Sequence, residues 1–240
     1  SLSKVVAAEL TVGEEGVMKV AGGSATVIRL WPASKTPDED SKDREETFQT
    51  DVARKGSLLI RQTTQPSLLF LAAPANVNTG VCVLLCPPAI CPQARFASVD
   101  FDPPIVAARR LNQLGVSVAI LKYRSVIRGR DLPRHHAALQ DAQRAMNLLA
   151  ARAAEWKINP TKIGVGGFSA GALVAALVAN HSSDRAYEAI DHVDRAPVRP
   201  AFSLLLAPFL TERLNSRKLF DALKMDGLSS KNTPPAFLAF

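Results

Sequence analysis

Five residues, Gly167-Phe-Ser-Ala-Gly171, restrict the fold of this chain more than any other stretch of it. The run before them, Lys162-Ile-Gly-Val-Gly166, reads as a short buried strand, and residues 170–179 read as a helix whose first turn carries only small side chains. A serine flanked by glycines between such a strand and such a helix is a nucleophile elbow. The sharp turn forces Ser169 into a strained backbone conformation, and side chains at the flanking positions would collide with the strand or the helix. The helix N-terminus also points free N–H groups at the hydroxyl, which favours negative charge developing there.

The rest of the chain reads as the scaffold such a turn requires. Residues 58–62 and 67–71 look like an antiparallel pair at one sheet edge. From there the order alternates: strand 81–85, helix 105–114, strand 116–121, long helix 137–154, the elbow strand and helix, strand 202–207, helix 211–225 and a strand starting at 235. On the long helix, Leu139, Ala142, Met146, Leu149 and Ala153 form one apolar face, with Asp141, Arg144 and Arg152 expected to point away from it. This alternation predicts an α/β fold with a mainly parallel sheet and helices on both faces. Residues 1–50, with a glycine-containing stretch and a charged, proline-containing run, read as an N-terminal extension packed on one domain spanning 51–240.

Composition removes several function classes. At 240 residues, 47% of them hydrophobic, the chain is long enough to bury a proper core. The net charge of +7 raises the question of nucleic acid, but 29 basic residues are interleaved with 22 acidic ones. The nearest thing to a basic patch, Lys122, Arg124, Arg128, Arg130 and Arg134, lacks the interleaved aromatics that stack bases. Cys82, Cys86 and Cys91 fall in one short stretch, yet their odd number argues against a disulfide framework and no histidine follows at zinc spacing. Cys82 reads as a buried reduced thiol. His135 and His136, near Asp131, are adjacent on a helix and so point in different directions, which argues against a metal site. No apolar stretch is long enough to span a bilayer and no signal peptide is visible.

Further segments carry a family resemblance. Gln65-Pro-Ser-Leu, Leu84-Leu-Cys-Pro87, Leu121-Lys-Tyr-Arg124, His136-Ala-Ala-Leu-Gln-Asp-Ala-Gln-Arg144, Ala151-Arg-Ala-Ala-Glu-Trp156, Asn159-Pro-Thr-Lys-Ile163 and the elbow, in this order and spacing, resemble carbohydrate-ester esterases of the α/β-hydrolase superfamily. The family is the one that includes acetyl-xylan-esterase-like and feruloyl-esterase-like proteins. Trp31-Pro32, Tyr187-Glu-Ala-Ile-Asp191 and Thr233-Pro-Pro-Ala-Phe237 look like additional landmarks of it, so the likeness runs from about Leu30 to the last residue.

The resemblance implies two-step acyl transfer with Ser169 as nucleophile, no cofactor, no metal, and a small-molecule or polysaccharide ester as substrate. It tilts the expected compartment towards secreted or periplasmic and leaves the oligomeric state open. A serine hydroxyl needs a histidine to take its proton and an acid to orient that histidine, in the chain order serine, acid, histidine. Asp184, Asp191 and Asp194 with His181 and His192 follow Ser169, but the family keeps its triad elsewhere and these read as a polar surface loop. Its acid follows the strand that begins at Ala236 and its histidine comes later still. The chain is accordingly read as a fragment, with its last strand, helices and two triad members beyond residue 240. The oxyanion hole would use the N–H of Ala170 and one from the loop after strand 81–85. Where the family has glycines, this chain has Cys86-Pro-Pro-Ala-Ile-Cys91, which leaves Ala89 or Ile90 as donor, and a few extra residues are inserted between Cys91 and Pro104. A silent relative that binds carbohydrate or protein through the same cleft is the alternative to an active esterase.

Overall fold

The computed structural model describes residues 16–20, 23–32, 35–37, 47–51, 57–61, 63, 65–90, 98–124, 136–195, 198–208 and 233–239. In chain order they form β1 (Gly16–Val20), β2 (Gly23–Arg29), β3 (Thr47–Asp51), β4 (Ser57–Arg61), β5 (Ser67–Leu71), β6 (Cys82–Cys86), β7 (Ala89–Ile90) and β8 (Ser98–Asp100). Helix α1 (Asp102–Gln113), β9 (Ser117–Lys122), α2 (His136–Ala151), β10 (Ile163–Phe168), α3 (Ala170–Asn180), β11 (Ser203–Leu206) and β12 (Ala236–Ala239) follow.

The main sheet has eight strands in the order β1-β2-β5-β9-β6-β10-β11-β12. From β9 to β12 every pairing is parallel, while β1, β2, β5 and β9 pair antiparallel. Strands β6 and β9 are buried along their whole length, as expected where helices cover both faces. Because such connections are right-handed, α1, which links β6 to β9, lies on one face, and α2 and α3, which run in the opposite direction across the sheet, lie together on the other. Connections therefore leave β6 and β10 in opposite directions. The crevice beyond the carboxyl ends of these two adjacent strands is the topological switch point, the place where an open α/β sheet presents its loops to a ligand.

Several boundaries and pairings differ from the sequence reading. Strand β4 does not pair with β5: it joins a separate four-stranded sheet, β3-β4-β8-β7, while β5 is a central strand of the main sheet. Both strands are apolar enough for either partner, and a four-residue spacer suggested a hairpin. Within residues 1–50, β2 continues the main sheet against β5 and β3 belongs to the small sheet. Helix α1 begins at Asp102, three residues earlier than expected, because Pro103 and Pro104 fall in its first turn, where a missing N–H costs nothing. The expected helix at 211–225 lies outside the described residues.

The largest difference concerns α2. Asp141 and Arg144 do not point to solvent, being 0% and 3% exposed, and the helix is buried from Ala138 to Leu149. Its apolar side packs on the sheet beside α3, and its polar side packs under the segments around Trp31 and 181–195. Arg152, beyond that cover, is the one of the three that reaches solvent, pairing with Glu155 at 2.8 Å and lying over the Trp156 ring. Trp156 in turn stacks on Phe70 with centroids 4.2 Å apart, closing the core below the sheet.

Candidate active site

Ser169 caps α3 with φ 52° and ψ −117°. A positive φ at a non-glycine residue is strained and persists only where its surroundings enforce it. Here they do so on both sides. The Ser169 N–H donates to Leu206 O of β11 at 2.9 Å, and the Ser169 carbonyl accepts from Ala172 N–H at 3.0 Å. The two glycines of the motif make these contacts possible. A Cβ on Gly167 would overlap the carbonyl of Gly171, and a Cβ on Gly171 would overlap the carbonyl oxygens of Cys86 and Pro87. The elbow glycines thus let α3 settle onto its own strand and onto the end of β6. The Ala170 N–H is the first of α3, and the helix has no carbonyl four residues earlier to serve as its acceptor.

Strand β10 places this corner beside the loop after β6. Gly167 stands opposite Cys86 in the parallel register, so Ser169 and Pro88 leave the sheet at the same level. Ala89 and Ile90 form β7, the edge strand of the small sheet, paired with Val99 and Ser98 of β8. The Asp100 N–H donates to Pro88 O at 2.9 Å, which makes Ala89 and Val99 a non-hydrogen-bonded pair. In a planar trans peptide the C=O and the following N–H point in opposite directions. With Pro88 O aimed at β8, the Ala89 N–H aims at the open edge of β7, away from the small sheet. Strand β8 is the partner that fixes this orientation.

The acidic residues after α3 lie elsewhere. Arg144 reaches Asp191 with Nη1 at 2.8 Å and Nη2 at 2.6 Å, and Asp194 at 2.8 Å. Asp194, read from sequence as part of a surface loop, is 1% exposed; it also accepts from Tyr187 Oη at 2.7 Å, from Asn147 Nδ2 at 3.2 Å and from Ile190 N at 3.2 Å. The hydrogen bonds from Arg144 hold the Asp191 carboxyl below the usual carboxylate range. At Asp194 burial pushes upward, but Tyr187 and Arg144 together outweigh it and hold that carboxyl low as well. Burial and the bond to Asp194 push the Tyr187 phenol up. Both carboxylates are thus committed to Arg144, not to a histidine. His192 is exposed, and the His181 carbonyl accepts from Gln143.

The same polar layer continues to Trp31, whose Nε1–H donates to Asp141 at 2.7 Å and whose ring meets Tyr187 edge-on at 4.8 Å. Asp141 also accepts from the Arg124 N–H at 2.8 Å and from its guanidinium at 2.8 Å. The guanidinium groups of Arg124 and Arg144 lie 5.8 and 5.7 Å from the Trp31 ring centre. Trp31, Arg124, Asp141, Arg144, Tyr187 and Asp191 all belong to the segments that carried the family resemblance. On α2 the polar residues Gln140, Asp141, Gln143, Arg144 and Asn147 share one side, so the sequence marked the charges of the cluster but not their burial.

Cys82 and Cys86 are free and buried, and burial pushes both thiols up to about 12, which keeps them protonated and poorly nucleophilic at neutral pH. Cys91, Asp131 and His135 lie outside the described residues. His136 opens α2. Among the described residues no group of histidine, cysteine, aspartate and glutamate side chains could hold a metal, and no helix is long and apolar enough to cross a membrane.

Residues 97–200 match the BD-FAE family model, of the α/β-hydrolase esterase type, a span that contains β8, α2 and the elbow. The fold is that of solved α/β-hydrolases. An acetyl ester-xyloside bifunctional hydrolase from Caldicellulosiruptor lactoaceticus superposes with a TM-score of 0.58 at 24% identity, over 97% of this chain and 75% of that one. A lipase/esterase from Lactobacillus plantarum gives 0.51 at 17% identity over 81% and 77%. Esterase 2 of Thermogutta terrifontis, solved phosphoramylated by tabun, gives 0.50 at 18% identity over 72% of this chain and 65% of that one. No curated protein sequence matches the chain.

Proposed function

We propose that this chain, of the α/β-hydrolase esterase type by its fold and its BD-FAE match, is a serine carboxylesterase that removes acetyl or similar short acyl groups, with carbohydrate esters as its substrates. The observation that carries this reading is the strained Ser169 at the switch-point crevice, facing a loop whose first available N–H is turned outward. Ser169 Oγ attacks the ester carbonyl, and the oxyanion that forms accepts hydrogen bonds from the Ala170 and Ala89 N–H groups. Collapse expels the alcohol and leaves an acyl-serine, which water then cleaves to the free acid and Ser169. A histidine must take the serine proton in the first step and return it to the alcohol. Because Asp191 and Asp194 are held by Arg144, we assign that histidine and its acid to positions outside the 181–194 loop.

The test is labelling of the full-length protein with a fluorophosphonate, followed by peptide mapping and p-nitrophenyl acetate hydrolysis. The expected result is one label on Ser169 and a loss of about 10⁴-fold or more in kcat for Ser169→Ala. Absence of both label and turnover would favour the silent relative that binds carbohydrate or protein through the same crevice.

A further inference from the structure

We infer that Tyr123 is a positioning residue for the oxyanion hole, acting on Ala89 through the two prolines of the loop after β6; this rests on the esterase reading above. Tyr123 follows β9 and is buried, and its hydroxyl donates to Pro87 O at 2.9 Å. The same oxygen lies against Gly171 of α3, so close that a Cβ there would overlap it. The Pro87 carbonyl is therefore held between a phenol on one neighbouring strand and the first turn of the elbow helix.

That carbonyl is one end of a stiff lever. The Pro87–Pro88 peptide is planar, so fixing Pro87 O fixes the plane that carries the Pro88 nitrogen. The Pro88 ring then locks its own φ near −65°. One soft torsion, ψ of Pro88, remains before the Ala89 N–H, and the bond from Asp100 N–H to Pro88 O holds it. A glycine loop in this place would have to be frozen by its surroundings. Here two prolines carry the stiffness and two hydrogen bonds, from Tyr123 and Asp100, set the direction. Preorganised donors contribute most when they need no reorientation as charge develops. Freeing the Tyr123 end of the lever misplaces the Ala89 N–H in the transition state while leaving ester binding unchanged.

The experiment compares full-length wild-type protein with Tyr123→Phe, Tyr187→Phe, Pro88→Gly and the Tyr123→Phe/Pro88→Gly double variant in p-nitrophenyl acetate hydrolysis, well below each thermal midpoint. Tyr123→Phe is expected to lower kcat about 10-fold with KM unchanged, a fraction of the loss of an entire oxyanion donor. Tyr187→Phe removes a buried hydroxyl from the Arg144 cluster and is expected to lower the midpoint while keeping wild-type kcat. Pro88→Gly is expected to lower kcat alone, and adding Tyr123→Phe to it should cost little more, because the lever is already broken. Should Tyr123→Phe fail to fold, loss of kcat in folded Pro88→Gly still supports the lever and wild-type kcat there overturns it. Wild-type kcat in Tyr123→Phe, an equal loss in Tyr187→Phe, or full additivity in the double variant would overturn the inference with the esterase reading intact. No Ser169-dependent turnover in the wild type would overturn both.

Discussion

The Ser169 corner and the Trp31–Arg144 cluster both immobilise polar groups, and they do it with opposite materials. At the corner almost every contact is main chain: N–H to carbonyl across β10, β11 and β8, with glycines and prolines setting what the backbone can do. In the cluster the contacts run through side chains, many of them side chain to side chain, between residues as far apart as Trp31 and Asp141, 110 positions away. The corner is held by geometry, so its sensitivity is to added volume and released torsions. The cluster is held by compensated charge, so its sensitivity is to the loss of one partner. A buried ion pair is weak evidence for stability when compared with an apolar filling, yet removal of one member strands the other.

Substitutions should separate the two regions. The largest effect on folding is expected from Asp141→Ala, which leaves the buried Arg124 without its carboxylate partner and the Trp31 N–H without its acceptor. Urea unfolding should show a loss of about 3–5 kcal/mol, with kcat of the folded fraction unchanged. A loss below about 1 kcal/mol would show that the cluster is solvated and that the contrast is false. Next comes Gly171→Ala, whose new methyl meets main-chain oxygens that cannot rotate away. It should cost about 1–3 kcal/mol in the same assay and, unlike Asp141→Ala, lower kcat as well, because α3 is pushed off the loop at Pro87.

The smallest effect is expected in acid. Asp191 and Asp194 have folded pKa values below their unfolded ones, so the stability they contribute is complete above about pH 4 and is lost as pH falls through the folded values. Unfolding free energy should therefore rise with pH across that low range, and Asp191→Asn should make the rise shallower. Asp191 is partly solvated, with 28% of its side chain exposed, which keeps its share small. An unchanged slope in the variant would mean that Arg144 works through Asp194 alone.

The same contrast explains what could be read from the sequence. The corner was legible because its causes are local: five consecutive residues specify strand, turn and helix, and the structure places Ser169 with the positive φ that the motif implies. The parallel order from β6 onward was legible for a similar reason, since each strand and helix announces itself within a dozen residues. What could not be read was pairing at a distance. Nothing in 57–61 says that it joins β8 instead of β5, and nothing in Asp141 or Arg144 reveals that Trp31 and the 187–194 segment will cover them. Periodicity assigns a charged residue to the outside by default, and here the default fails because the partners come from elsewhere in the chain. The hydrogen bonds that tie the loop at Pro87–Ile90, from Tyr123 to the Pro87 carbonyl and from Asp100 to the Pro88 carbonyl, were equally illegible, because neither donor adjoins the loop in sequence.

The +52° φ at Ser169 also decides which amino acids that corner can carry. A β-branched side chain at such an angle is a genuine outlier, so threonine is barred although its hydroxyl is as good an attacking group. Cysteine, unbranched like serine, passes. For the acyl transfer proposed above, the backbone therefore filters the chemistry before any catalytic partner is considered: the turn suits a seryl ester or a cysteinyl thioester and disfavours a threonyl ester, so an exchange of attacking atom there would run from oxygen to sulfur.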